Sequence, residues 1–312
     1  MTNHKPLKIA VFGAANLDIN ATAEKTLVPG DSTPGRITTT AGGVARNIAE
    51  NLARLGHCTH LVSAVGDDLH GKFLLNQTRR AGVNTAGCNV LPSAATDAYL
   101  LLNQPDSSLL AAINDMQALS LLTPVLLAYH ATVFKSAQAW VIDCNLSEAC
   151  MEWLMQNASD KPVFIDGVSS FKCVKVMPYL PAIHTLKINR LEASALTGLE
   201  VANADQAIAA AQHLCARGVL NAVVSMGNGG VAWCERGGNS SGHMAALAVA
   251  AVSSNGAGDA LTAGLVHGAL AGWPLEQSVR FANACAALTM TSSSANFTEL
   301  SVTRALQLLA QQ

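Results

Sequence analysis

Charged side chains are scarce in this chain: Asp, Glu, Lys and Arg make up 13% of 312 residues, and the formal net charge is −2. No run of Lys or Arg occurs, which excludes the electrostatic footprint of a nucleic-acid binder. No apolar stretch reaches the length needed to cross a bilayer. The opening MTNHKPLKIAVFGAA lacks the apolar stretch and cleavage signature of a secretory signal. A cytosolic protein with no membrane or nucleic-acid partner is the expectation. The eight cysteines contain no C-x-x-C pair, and Cys144, Cys173 and Cys234 sit in apolar surroundings, so buried thiols are expected. His57 and His60 lie three apart at a Gly56 helix stop, a poor arrangement for a metal pair. No internal repeat or low-complexity linker occurs.

Hydrophobic residues are plentiful, at 50% of the chain. That content fits a large core with both faces of a sheet covered. Strand-like and helical patterns alternate, which predicts an α/β fold with a mostly parallel sheet and crossover helices. Predicted strands are Leu7–Phe12, His60–Val65, Trp140–Asp143, Val163–Asp166, Thr185–Ile188 and Ala222–Ser225. Predicted helices are Ala45–Leu55, Leu69–Ala81, Gln206–Arg217 and Leu275–Thr289. Each strand ends in polar or glycine residues, where open α/β sheets place ligands. Asp18–Thr40 and Thr96–Ile113 break the rhythm and read as antiparallel strands with turns. They predict a small accessory sheet, with lid segments at about 14–40 and 96–115 on one domain spanning 1–312.

The most informative segment is Gly256-Ala257-Gly258-Asp259. It follows a β-type run, Leu247–Val252, and opens a helical pattern with Leu261, Leu265, Val266 and Ala269 on one side. A glycine turn entering a helix offers free N–H groups and the positive end of the dipole, a place to hold phosphate. An aspartate there repels phosphate, but it makes sense as a general base for a nearby hydroxyl. Together they point to phosphoryl transfer to an alcohol. The plain alternative is a loop-to-helix turn whose aspartate favours the dipole.

Other segments gain meaning from their order. Gly66-Asp67-Asp68-Leu69-His70-Gly71-Lys72 fits half of a phosphate-binding P-loop. Phe73 replaces the hydroxyl that would meet Mg²⁺, and two aspartates face the phosphates, so an acidic loop is the better reading. Asn16-Leu17-Asp18, and Gly42-Gly43 before Asn47, place carboxylate and carboxamide groups at sheet ends. Such groups hold polyhydroxylated ligands through paired hydrogen bonds; turn and helix-start roles explain each of them alone. Asn189 and Glu192 lie one turn apart at a helix start, on one face. They read as organisers of Mg²⁺-bound water or as a helix cap, and both can hold at once. Ser225-Met226-Gly227-Asn228-Gly229-Gly230 is a tight turn, or a place where a nucleotide lies close to backbone.

Taken in order, these segments resemble the ribokinase-like family of carbohydrate and nucleoside kinases, of phosphofructokinase B type, over essentially the whole chain. Within that family the chain is most similar to the branch that phosphorylates pseudouridine. Ala112–Met116, Asp143–Asn145, Ser169 with Lys172–Val176, His184–Lys187 and Asn189–Ala193 carry that closer likeness.

The resemblance implies a three-layer α/β/α core with a mostly parallel sheet and a small β-sheet lid used for dimerisation. It implies that ATP lies on Ser225, Gly227 and Gly230, with Asn189, Asn255 and Asn283 also on the nucleotide side. Asn189 and Glu192 would hold Mg²⁺ through water. Gly256, Ala257 and Gly258 would stabilise the transferring phosphoryl group, and Asp259 would take the acceptor's proton. Asn16, Asp18, Gly42, Gly43 and Asn47 would fix a ribose, and Asn114, Ser169 and Lys172 would lie near a base.

Three departures narrow this. The family often writes D-T-x before G-A-G-D, where this chain has Ser253-Ser254-Asn255, which counts against a K⁺ site. Ile188 stands where a proline often precedes the N-x-x-E asparagine. Asp166 is followed by Gly-Val-Ser-Ser, without the asparagine and arginine of sugar-phosphate kinases, which favours an uncharged nucleoside or sugar. A kinase for another nucleoside or for ribose is the alternative within catalysis. A nucleoside sensor on a kinase scaffold is the alternative outside it, and the intact Asp259, Asn189 and Glu192 argue against that.

Overall fold

The apolar stretches pair into a sheet whose inner strands are buried on both faces. Across it run Cys58–Val62, Lys8–Phe12, Ala139–Asp143, Val163–Asp166, Thr185–Asn189 and Asn221–Ser225, all parallel. Val231–Glu235 and Ser241–Met244 continue it antiparallel. The structure is a computed structural model and describes residues 6–106, 108–158, 160–237 and 240–312. The first five residues, and residue 107 within the 96–115 lid segment, lie outside the described residues.

Successive side chains of a strand face opposite layers. Ala10, Phe12, Ile142 and Ile165 pack with the helices Glu148–Asn157 and Ala204–Ala216. Ile9, Val11, Val141 and Phe164 pack with Val44–Arg54, Ala257–Leu270 and Leu275–Met290 on the other side. The result is a three-layer α/β/α sandwich. No helix among the described residues is long and apolar enough to cross a membrane.

The chain passes from Lys8–Phe12 to Cys58–Val62 on one side and later to Ala139–Asp143 on the other. That reversal opens a crevice at the carboxyl ends of the strands. Asp143, Asp166, Asn189 and Ser225 each end a strand there. Asp143 is buried and clips the crevice together: its Oδ2 accepts the N–H groups of Ala14 and Ala45, each at 2.9 Å. Burial pushes its carboxyl up to about 6.

A second sheet stands over the crevice, in the order Gly35–Gly42, Asn16–Ala23, Ala98–Asn103, Leu109–Asp115. Each lid segment is an antiparallel hairpin, as expected, and the two hairpins join through a parallel central pair, because Asn16–Ala23 and Ala98–Asn103 both leave the core in the same direction. Cross-strand register puts Thr40, Asp18, Tyr99 and Asn114 in one row, so they share a face.

Several expectations need correction. His60–Val65 is not one strand: Cys58–Val62 joins the main sheet, whereas Ala64–Gly66 pairs with Asn89–Leu91. The break falls at Ser63, whose carbonyl accepts Asn89 N–H at 2.8 Å. Leu247–Val252 forms no strand; the N–H groups of Val252 and Ser253 bond instead to Met290 O on a neighbouring helix, at 2.7 and 3.2 Å. The edge strand is Ser241–Met244. Cys58, at the start of an edge strand, is exposed, while the other seven cysteines are buried and free. His57 faces His267 across 2.9 Å, and no group of three or more metal-ligating side chains occurs among the described residues. The P-loop-like segment is an anchor: Asp68 caps Leu69–Arg80 through Gly71 N–H (2.7 Å) and takes Thr96 N–H at the foot of the lid (2.8 Å).

Candidate active site

Gly256 caps the helix Ala257–Leu270 in the left-handed region, at φ 76°. A Cβ there would lie 1.8 Å from Ala295 O, so only glycine fits. The first intrahelical bond runs from Ala260 N–H to Gly256 O at 2.9 Å, and the N–H groups of Gly258 and Asp259 precede it. Asp259 stands in the first turn, and Asn47 Nδ2 donates to its Oδ2 at 2.8 Å. Burial and the nearby Asp166 push the Asp259 carboxyl up to about 8, against the opposing pull of Asn47 and Lys187.

This turn separates two clefts. One, of about 510 Å³, lies under the lid and is lined by Asp259, Gly256, Asn47 and Gly43, by Asn16, Asp18 and Asn114, and by Ser169, Lys172 and Asn255. Asn16 Nδ2 donates to Asp18 Oδ1 at 2.9 Å. Burial raises the Asp18 carboxyl, opposed by that bond and by Arg46. Gly42 lies beneath the Asp18 carboxylate, where a Cβ would come within 2.3 Å of Oδ2. Lys172 Nζ donates to Asn145 Oδ1 at 2.7 Å. Asn255, expected beside Ser225 and Asn283, lines this cleft together with Gly256.

The second cleft, of about 220 Å³, is lined by Ser225, Gly227, Gly230, Ala257, Gly258 and Asn283, among others. Asn283 Nδ2 donates to Ala245 O at 2.9 Å, which ties its amide to the cleft wall. Asn189 and Glu192 line neither cleft. They form a complete capping box: Asn189 Oδ1 accepts Glu192 N–H at 3.0 Å, and Glu192 Oε2 accepts Asn189 N–H at 2.9 Å. Glu192 is buried, and burial raises its carboxyl against the pull of Lys187. One buried carboxylate and one amide cannot cage a bare metal, but they suit Mg²⁺ that keeps its waters.

Four contributors escaped sequence reasoning. Lys187 is buried, pairs with Asp166 Oδ2 at 3.1 Å, and would meet a Cβ on Gly258 at 2.8 Å. Its ammonium thus lies against the first turn of the glycine helix. Burial works against that charge, but Asp166, Glu192 and Asp259 outweigh it and hold the amine above the ordinary lysine value. A lysine inside the apolar strand Thr185–Asn189 was the available signal. Tyr99 lies on the Asp18–Asn114 row, legible only once the register was known. Phe171 is 90% exposed at the rim of the larger cleft, and nothing local marks it. Val168, in the same wall, has φ 65°, and Ser169 N–H bonds Gly167 O at 2.7 Å. That is a γ-turn of positive φ, a strained conformation of the kind that collects at ligand sites.

Two clefts meeting at a helix N-terminus, with a carboxylate on one side and a buried ammonium behind, define a phosphotransferase that moves a phosphoryl group onto a hydroxyl. The chain belongs to the pfkB family of carbohydrate kinases, which residues 6–301 match, and it is an ATP-dependent kinase with a ribokinase-like fold. It is 39% identical to the pseudouridine kinase of Escherichia coli over 301 residues, covering 96% of each chain. It is 40% identical to the uncharacterized sugar kinase YeiI of the same organism over 299 residues, 96% of this chain and 82% of that one. The ribokinase of Arabidopsis thaliana, solved with ribose and ATP, superposes with a TM-score of 0.85 at 23% identity, over 98% of this chain and 99% of that one.

Proposed function

We propose that this kinase transfers the γ-phosphoryl group of ATP to the 5′-hydroxyl of pseudouridine, giving pseudouridine 5′-phosphate in nucleoside breakdown. The observation that carries this reading is the shared turn: Gly256 and Asp259 line the larger cleft, while Ala257 and Gly258 line the smaller one. An acceptor hydroxyl on one side and a nucleotide on the other therefore meet at one set of N–H groups. Asp259 takes the hydroxyl proton as the oxygen bonds to phosphorus and the bond to the leaving phosphate breaks. Lys187 and the helix N-terminus offset the charge on the transferring group. Asn189 and Glu192 would hold Mg²⁺ through water, and the ion would supply charge neutralisation on the phosphates. Asp18 and Asn47 hold the ribose hydroxyls, and the lid keeps out competing water.

Support for a nucleoside comes from the size of the larger cleft, about 510 Å³, and from Tyr99, Asn114, Ser169 and Lys172 in its lining, polar and aromatic groups suited to a base. Such dimensions fall within the range of small-molecule sites. Support for pseudouridine comes from the likeness to the E. coli pseudouridine kinase. The second reading is another nucleoside or a sugar such as ribose, since the uncharacterized sugar kinase YeiI is as similar to this chain as the pseudouridine kinase is. The test is turnover of pseudouridine, uridine, adenosine, inosine and ribose with MgATP. Equal rates for pseudouridine and uridine overturn the base assignment and leave the kinase standing; preference for ribose overturns the nucleoside. No ATP consumption with any acceptor returns the sensor reading. A K⁺ requirement is not part of this proposal, since Ser253 fills the position of the missing aspartate and its hydroxyl accepts Asn255 N–H at 3.1 Å.

The lid also supports a homodimer. Ile19, Leu100 and Ile113 form the row opposite to the cleft-facing one, and Ile37, Leu100 and Ile113 are exposed. A second copy laid on that face would bury them. Ile113→Asp should yield monomers in sedimentation; a wild type already monomeric at micromolar concentration would refute the pairing.

A further inference from the structure

Arg46 precedes Asn47 in the helix Val44–Arg54 and is 5% exposed. Its Nη1 donates to Ala41 O (3.1 Å), Asn47 Oδ1 (3.0 Å) and Asn296 Oδ1 (2.8 Å). Its Nη2 pairs with Glu50, which also takes Arg54. A guanidinium has donors and no acceptor. An amide facing it must present oxygen, so the nitrogen of Asn47 points the other way, to Asp259 Oδ2 at 2.8 Å. Turning that amide over would set N–H against N–H at Arg46 and oxygen against carboxylate at Asp259, losing two bonds at once. The same constraint reaches Asn296. Its oxygen is taken by Arg46, so its nitrogen donates to Asn47 O and Asn51 Oδ1, each at 3.0 Å. The adjacent Ala295 carbonyl is the group packed against Gly256.

We infer that Arg46 is a positioning residue for phosphoryl transfer: it fixes the donor direction of the Asn47 amide, and Asn47 in turn holds Asp259 as a hydrogen-bond acceptor ready to take a proton. This rests on the reading of Asp259 as the base. Arg46 touches neither reacting group; it acts through one amide. The other charges around Asp259 are Asp166 and Asp143 at the ends of their strands, Lys187 in Thr185–Asn189, and Arg46 itself. All but Arg46 stay in place when Arg46 is changed; its own charge also reaches Asp259 through space, an effect that adds to loss of Asn47, whereas an effect carried by the Arg46–Asn47–Asp259 chain does not.

The experiment is kcat against pH, with MgATP and pseudouridine or whichever acceptor turns over, for wild type, Arg46→Met, Asn47→Ala and the double variant. Arg46→Met should move the acid limb upward by about one pH unit, the scale of one lost hydrogen bond to a charged group. Asn47→Ala should move it similarly, and the double variant no further, since both changes break one chain. Arg46→Lys, which also only donates, should return the limb most of the way. If thermal melting shows that Arg46→Met does not fold, Arg46→Ala takes its place with the same expectation, because alanine has no donor for the Asn47 oxygen and Glu50 keeps Arg54. A fall in rate with the limb unmoved, or limb shifts that add in the double variant, overturns the inference. Full turnover by Asp259→Asn would instead remove the base reading, a distinct result.

Discussion

Asp259→Asn separates the chemical role of this carboxyl from its cost to the fold. The substitution is nearly isosteric, and an asparagine oxygen can still accept from Asn47 Nδ2, which now lies 2.8 Å from Oδ2. The carboxyl stands at about 8 in the folded protein, against an ordinary 3.8. Below pH ~4 it is protonated folded and unfolded alike, and it carries no penalty. Between pH ~4 and ~8 the unfolded chain releases this proton while the folded one retains it, so stability falls; above that range the penalty is constant. Each pH unit of displacement is worth about 1.36 kcal/mol, giving a ceiling of roughly 5–6 kcal/mol. Solvent in the cleft screens the charge, which brings the expected gain on substitution to about 1–3 kcal/mol. In a chain of 312 residues that is a rise in Tm of roughly 1.5–5 °C. Thermal unfolding of both proteins from pH 4 to 9 should therefore show no difference at the acid end and a more stable variant at pH 8. Turnover should fall by about 10²–10⁴-fold, with ATP binding retained. A variant equally or less stable at pH 8, or one keeping more than about a tenth of the rate, would refute the assignment of a half-buried, catalytically used carboxyl.

Further substitutions test other parts of the site. Lys187→Met should lower kcat by about 10²–10³-fold with the KM of the acceptor little changed, since the ammonium lies against the Gly258 turn proposed to hold the transferring group; a raised acceptor KM at constant kcat would contradict this. The same variant should melt lower, because Asp166 loses its partner at 3.1 Å. Glu192→Gln should raise the Mg²⁺ concentration needed for half-maximal rate; reduced activity with unchanged Mg²⁺ dependence would leave Glu192 as a helix cap alone. Asn114→Ala should narrow the preference for pseudouridine over uridine beyond any common loss of rate. The two nucleosides differ in a free ring N–H, which a site built to bond it discriminates strongly; an unaltered rate ratio would move base recognition elsewhere.

What the sequence determined by itself was local and ordered. Strand ends at Asp143, Asp166 and Ser225, the helix start at Gly256, and the cap at Asn189 all follow from short-range rules, because dihedral preference, alternation and capping act over a few residues. The sequence also carried the order of segments that ties the chain to its family. Tertiary structure decided which of these meet. Asn47 and Asp259 are 212 positions apart, and only the stacking of two helices on one sheet face brings them to 2.8 Å. The split at Ser63 and the absence of a strand at Leu247–Val252 depended on which partners were within reach, a non-local matter that apolar patterning cannot express. Lys187 and Arg46 were hardest to read for the same reason. Each is a charge inside an apolar pattern, and its meaning lies in Asp166, Asp259, Asn296 and the amide of Asn47, partners brought to it by the fold.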